Sequence, residues 1–208
     1  MRLSMPITRG RIRNHFQYGF WMYLLLIALA LFGWNLIYTT TQYRTPEARK
    51  VEFYAEGSTY GDDGPQALAD RVHAEAMPEM EQVTATALTI DQTYGDMQLV
   101  VWVSAGQGDV YLLTREHFLS MARNGAMLDL GPYVADGTLH AEGLDLQAGY
   151  TQVNSEGANR LMGIPADSLT GLADYGLDGQ GKVLCALLNN GNDPYTLKFI
   201  DYLLTNLR

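Results

Sequence analysis

One unbroken apolar run, Phe20 to Tyr38 (FWMYLLLIALALFGWNLIY), precedes a chain in which short apolar stretches alternate with polar, glycine- and aspartate-rich ones. The run has 19 residues and no charge. As a helix it would span about 28 Å, close to the roughly 30 Å hydrocarbon core of a bilayer. Arg2, Arg9, Arg11 and Arg13 lie before it with no acidic residue, and such an excess of Arg stays on the cytoplasmic side. Phe16, Tyr18 and Trp21 at one end, with Trp34, Tyr38 and Tyr43 at the other, put aromatic rings at interfacial depths. The pattern predicts a basic cytoplasmic segment over 1–15, a transmembrane helix over 16–38, a polar stalk over 39–50 and an extracytoplasmic domain over 51–208. The chain would then be a single-pass cell-membrane protein with its N-terminus inside, and the lipid bilayer would be the partner of residues 16–38.

Two other readings of the run fit less well. A cleaved signal peptide has a shorter apolar stretch followed by a small-x-small site, but Ala28-Leu29-Ala30 sits in the middle of the run. Cleavage there would leave Leu31 to Tyr38 as an apolar tail. A buried helix in a soluble domain would show one apolar face rather than an apolar surface all round. Asn35, near the outer end, is the one strongly polar residue inside the run.

Beyond the stalk, periodicity changes. Val51 to Ala55 alternates as a strand does, and Gly57 to Gly64 reads as a polar loop. Asp62, Asp63 and Pro65 open a helix through Leu68, Val72 and Ala76 that must fail at Pro78. Val83 to Ile90 is rich in β-branched residues and reads as a strand. Met97 to Ala105 fits strand and helix alike. Asp109 to Leu113 reads as a short buried strand. Thr114 can cap a helix over Arg115 to Arg123, with Phe118, Leu119 and Ala122 on one face and Gly125 as its stop. Gly149 to Val153 and Arg160 to Ile164 flank Asn154-Ser155-Glu156-Gly157 as a hairpin would. Lys182 to Leu188 is another buried strand. A turn at 189–194 leads into a last helix striped by Leu197, Ile200, Leu203 and Leu204. Strands alternating with helices predict an α/β domain with some parallel pairing.

Charge and chemistry narrow the function. All 23 acidic residues follow Tyr43, against 10 Lys and Arg there, a net charge near −13 that disfavours nucleic acid and anionic headgroups as partners. The lone Cys185 sits in an apolar strand as a small hydrophobe, and the four histidines stand far apart. Gly176 to Lys182 (GLDGQGK) matches the start of a phosphate-binding loop, but Val183 stands where Ser or Thr would hold magnesium. Asp91 and Asp96 lack the alternating ligands of a calcium loop. Glu142 and Asp145 are an acid pair whose separation the sequence does not give. No nucleophile–base signature is present, so the expectation is no enzyme, no cofactor and no metal.

Gly108-Asp109-Val110-Tyr111-Leu112-Leu113, a helix, and then Asn124 to Val134 (NGAMLDLGPYV) resemble extracellular solute-binding proteins of ABC importers. In that family an Asp-Val-led strand and a helix precede a G-x-hydrophobic-L-D-L-x-P-Y segment. Val51 to Glu56 resembles the opening strand, Met162 to Asp167 the Y-G-I-P strand, and Leu197 to Leu204 a late helix. The resemblance makes Met97 to Ala105 a helix. It implies α/β architecture, with the N-terminal transmembrane helix followed by a shortened periplasmic-binding-protein-like (type II) domain. Family members have two lobes with a ligand cleft between them, whereas few residues here follow Ile164-Pro165. The implied function is a membrane-anchored, non-catalytic solute-binding-like module, accessory to a transporter and with a membrane permease as partner. The competing expectation is a protein-interaction or structural module on a receptor fold without a cleft. In α/β sheets ligands bind beyond the carboxyl ends of the strands, which nominates Glu56, Ser58, Thr114, Arg115 and Asp167 for a small polar ligand. Against each stands a plainer role: Thr114 as a helix cap, Arg115 as a solvated first-turn residue. Trp102 fits a core tryptophan better than a sugar-stacking one.

Overall fold

The structure, a computed structural model, describes residues 9–57, 63–88, 95–153, 157–188 and 191–208. Ser58, Asp62, Ile90, Asp91, residues 154–156 and the turn residues 189–190 lie outside them, as do the side chains of Phe16, Tyr18 and Asp96. Contacts divide the chain into two units, Met1–Arg44 and Thr45–Arg208.

The first unit is a single helix, α1 (Arg9–Thr41), which extends beyond the predicted span at both ends. Its segment Gly19–Thr41 is long and apolar enough to cross a membrane. Trp21, Leu25, Leu31 and Phe32 are all exposed. The first three residues assigned to a polar stalk, Thr39 to Thr41, are instead the last residues of α1. Thr39, Thr40 and Thr41 donate to the carbonyls of Asn35, Leu36 and Ile37 at 2.9, 2.7 and 2.6 Å, so their hydroxyls are satisfied within the helix.

The second unit begins with β1 (Lys50–Glu56), α2 (Gly64–Ala76), β2 (Gln82–Leu88), α3 (Gly95–Ser104), β3 (Val110–Thr114) and α4 (Arg115–Arg123). α5 (Gly131–Ala135), β4 (Tyr150–Thr151), β5 (Arg160–Leu161), β6 (Ile164–Pro165), β7 (Lys182–Ala186) and α6 (Asp193–Asn206) complete it. The main sheet has the order β2-β1-β3-β7-β6. β1 is parallel to β2 and β3, and β7 runs antiparallel to both β3 and β6. β4 and β5 form the expected hairpin, with Tyr150 opposite Leu161, while Ile164 leaves it to join the main sheet.

Strand alternation sorts side chains between two cores. Val51, Phe53 and Ala55 of β1, with Val110, Leu112, Leu184 and Ala186, pack with Leu68 and Val72 of α2 and with Phe199, Ile200 and Leu203 of α6. Tyr111, Leu113, Val183 and Cys185 turn the other way, towards Leu99 and Val103 of α3 and Phe118 and Met121 of α4. α3 is thus a helix, as the resemblance implies; its buried Leu99 and Val103 are four apart, one helical turn. Trp102 is half-buried and stacks on Tyr54 at a ring distance of 6.0 Å, and Tyr54 stacks in turn on Tyr111 at 5.5 Å.

After β6 the chain passes through residues 166–181, including a 3₁₀ turn at Thr170–Tyr175, and re-enters the same sheet as β7. No second lobe is built between these two strands. Just before β6, Gly163 lies backbone to backbone with Gly149: a Cβ on Gly149 would stand 1.8 Å from the Gly163 carbonyl oxygen.

Candidate functional site

β2 lies on one side of β1 and β3 on the other, so the strand order reverses between β1 and β3. Such a switch point, at the carboxyl ends of the strands, is where α/β folds form their ligand crevice. β1 ends there with Glu56 and β3 with Thr114. β7 runs the other way and starts at the same edge, with Lys182 opposite Thr114. β6 ends beside it, with Pro165 opposite Val183 and Asp167 two residues on.

Glu56 is largely buried and its carboxylate is held from several sides. Oε2 accepts from the Thr114 N–H at 2.8 Å and the Thr114 hydroxyl at 3.0 Å, and lies 2.9 Å from Nδ1 of His117. Lys182, also buried, donates from Nζ to the Glu56 carbonyl oxygen at 2.5 Å. Thr114 precedes the first residue of α4, and a helix N-terminus attracts negative charge through its N–H groups and dipole. The protein's own Glu56 supplies that charge. Thr114 therefore differs from the cap expected of it: it stands in the N-cap position, yet its side chain makes no cap bond and goes to Glu56 and His117.

The remaining nominated residues lie along the same edge. Arg115 is exposed, and its N–H donates to the Gly181 carbonyl at 3.3 Å. Asp167 is exposed, and its Oδ1 accepts from the Gly181 N–H at 2.9 Å. It lines a cavity of about 200 Å³ with Ala166, Thr170, Asp178 and Gln180. The fold thus gathers Glu56, Thr114, Arg115 and Asp167 at one edge, with the first two bonded to each other. Sequence reading missed His117 and Lys182. The signal for His117 was its spacing, one helical turn after a threonine at a strand–helix junction; Lys182 carried none.

Two further groupings lie elsewhere. Asp109, buried at the amino end of β3, accepts the Glu52 N–H at 2.7 Å, and the Glu52 carboxylate pairs with Lys50 at 3.2 Å. Burial pushes the Asp109 carboxyl up to about 7, and the nearby Glu52 charge adds to this. His140 and Asp201 pair at 2.9 Å, a contact that raises the His140 pKa above its ordinary value. Arg208 closes over them by donating to the carbonyls of His140 and Glu142. Among the described residues, no group of three His, Cys, Asp or Glu side chains could hold a metal ion.

No protein-family profile matches the chain, nor does any curated protein. Solved structures are similar over part of it. An extracellular solute-binding protein of family 1 from Alicyclobacillus acidocaldarius matches 60% of this chain at 16% identity and a TM-score of 0.41. The N-glycan transport solute-binding protein of Streptococcus pneumoniae matches 64% at 17% identity and 0.39. The maltose-bound MalE3 of T. maritima matches 62% at 18% identity and 0.42. The matched parts are 29%, 30% and 33% of those proteins, so this chain spans about a third of the length of the extracellular solute-binding proteins it resembles.

Proposed function

We propose that this chain is a membrane-anchored, non-catalytic extracytoplasmic module, held by α1 and displaying a one-lobed solute-binding-like domain that serves a membrane permease. The supporting observation is the direct return of residues 166–181 into the sheet, which leaves the carboxyl ends of β1, β3 and β6 on one edge with no second lobe among the described residues. A small polar ligand would meet Arg115 and Asp167, the exposed members of that edge, with Thr114 and Glu56 beneath them. Glu56 already fills the anion position at α4, which favours a neutral or cationic ligand over an anion. Contact from one side only makes for weak affinity, and anchoring offsets this by raising the local concentration.

The test is thermal unfolding of the full chain in detergent with panels of neutral oligosaccharides and small polar cations. A ligand that binds the folded state raises the apparent melting temperature, and Arg115→Ala or Asp167→Ala should abolish the rise. A flat response across both panels would remove the small-ligand reading. The interaction-module reading has its own observation: α3 exposes Met97, Val100 and Val101 side by side. Photo-crosslinking from position 101 in intact cells would then capture a membrane protein, while the thermal panels stay silent.

A further inference from the structure

A second cavity lies at the amino edge of the sheet, the opposite end from Glu56. Residues 126–128 run beside the end of β7: Leu128 N–H donates to the Ala186 carbonyl at 2.9 Å and Leu188 N–H to Ala126 at 2.8 Å. Leu130 N–H donates to Leu161 of β5 at 2.7 Å. Between this segment and the β4–β5 hairpin is a cavity of about 500 Å³, within the roughly 300–1,000 Å³ of small-molecule sites. Met127, Val153, Met162 and Leu188 form its apolar walls, and Asp129 and Arg160 its charged rim.

The rim pair is loose. Arg160 Nη1 stands 3.9 Å from Asp129 Oδ2, and the side chains are 58% and 29% exposed. Asp129 Oδ1 accepts the Gly131 N–H at 3.0 Å, which fixes the carboxylate while Oδ2 faces Arg160. A pair so open contributes at most about 1 kcal/mol, so a ligand that carries both charges can enter between its members with little loss. We propose that this cavity binds a free α-amino acid with an apolar side chain. Its carboxylate meets the Arg160 guanidinium, its ammonium meets Asp129 Oδ2, and its side chain lies against Met127, Met162 and Val153. Charge-assisted hydrogen bonds at both ends fix the orientation, and flexible thioethers adapt to the shape of the side chain. A neutral sugar would set hydroxyls against apolar walls, and a fatty acid would leave Asp129 facing a like charge. The site is separate from the Glu56 edge and independent of the function proposed for it.

The experiment uses the full chain in detergent, labelled with methyl-¹³C methionine and titrated with L-leucine. The expected result is a saturable shift of the Met127 and Met162 methyl signals, while Met77 and Met80, in the other core, stay still. Arg160→Gln and Asp129→Asn, both at exposed or half-exposed positions, should each weaken leucine binding by about tenfold or more, a loss of one charged contact. N-acetyl-leucinamide, which keeps the side chain and lacks both charges, should not bind. Thr114→Val should leave the leucine response unchanged even where it alters behaviour at the other edge. No saturable shift up to about 10 mM leucine, equal binding of the uncharged analogue, or indifference to both rim variants would each overturn the proposal.

Discussion

Asp109 is the residue whose environment most strongly opposes its ordinary chemistry. Its carboxyl titrates near 7 because burial disfavours the charged form, whereas in the unfolded chain it titrates near 4. Between those values the native state binds more protons than the unfolded one, so this group makes stability fall as pH rises, and the loss is complete above about 7. Asp109→Asn keeps an acceptor for the Glu52 N–H and removes the titration. It should stabilise the chain at pH 8 by roughly 2–4 kcal/mol and flatten the slope of denaturant midpoint between pH 4 and 7. An unchanged slope would mean that Asp109 is charged in the native state. Glu56 is held by contacts across the sheet edge: its carboxylate accepts from the Thr114 N–H and hydroxyl. Glu56→Ala leaves the Thr114 N–H and hydroxyl without their acceptor, while Lys182 keeps the backbone carbonyl it donates to, and should cost about 2–3 kcal/mol in chemical denaturation. A value near zero would return Glu56 to the ranks of residues available to a ligand. Cys185, with no exposed surface and a thiol pushed far up by burial, should react with a maleimide only on unfolding.

At the scale of elements, much of the fold was legible because its signals are local. Pro78 ends α2, Gly125 follows α4, and the β-branched run before Leu88 makes β2. Met97 to Ala105 was not legible from periodicity, since α3 buries Leu99 and Val103 yet exposes Met97, Val100 and Val101. An apolar residue on the solvent side erases the contrast on which a periodicity reading depends. Sheet order was equally hidden: nothing in Lys182 to Ala186 says that it runs antiparallel between β3 and β6. The candidate site was half legible. The rule that ligands gather at strand ends found Glu56, Thr114 and Asp167, but a chain position cannot reveal that Glu56 and Thr114 satisfy one another across 58 residues. The Gly149–Gly163 contact is a long-range feature of the same kind. Gly149→Ala forces β6 and the preceding turn apart and should destabilise the domain by several kcal/mol, read as a lowered denaturant midpoint. A tolerated alanine would place that turn further from β6 than it is here.

For the whole molecule, the question is what an apolar helix and a small acidic α/β unit achieve together. The unit has its own two cores and a continuous five-stranded sheet. The Gly19–Thr41 segment of α1 has an exposed apolar surface, which water disfavours and a bilayer would satisfy. In the anchored arrangement proposed above the two parts would meet different solvents, and the value of joining them would lie in where the acidic unit is held. Under that proposal retention separates the chain from a released carrier: cleavage after Ala30 would leave Leu31 to Tyr38 on a diffusing protein, and the proximity argued for a weak one-sided site would vanish. The mature chain should accordingly carry its full-length mass in the membrane fraction, resist extraction by alkaline carbonate, and present a C-terminal tag to protease added outside intact cells. A mature N-terminus at Leu31, or a tag protected from that protease, would refute the anchored arrangement and with it the concentration argument, while leaving the amino acid site at the far edge of the sheet to stand on its own measurement.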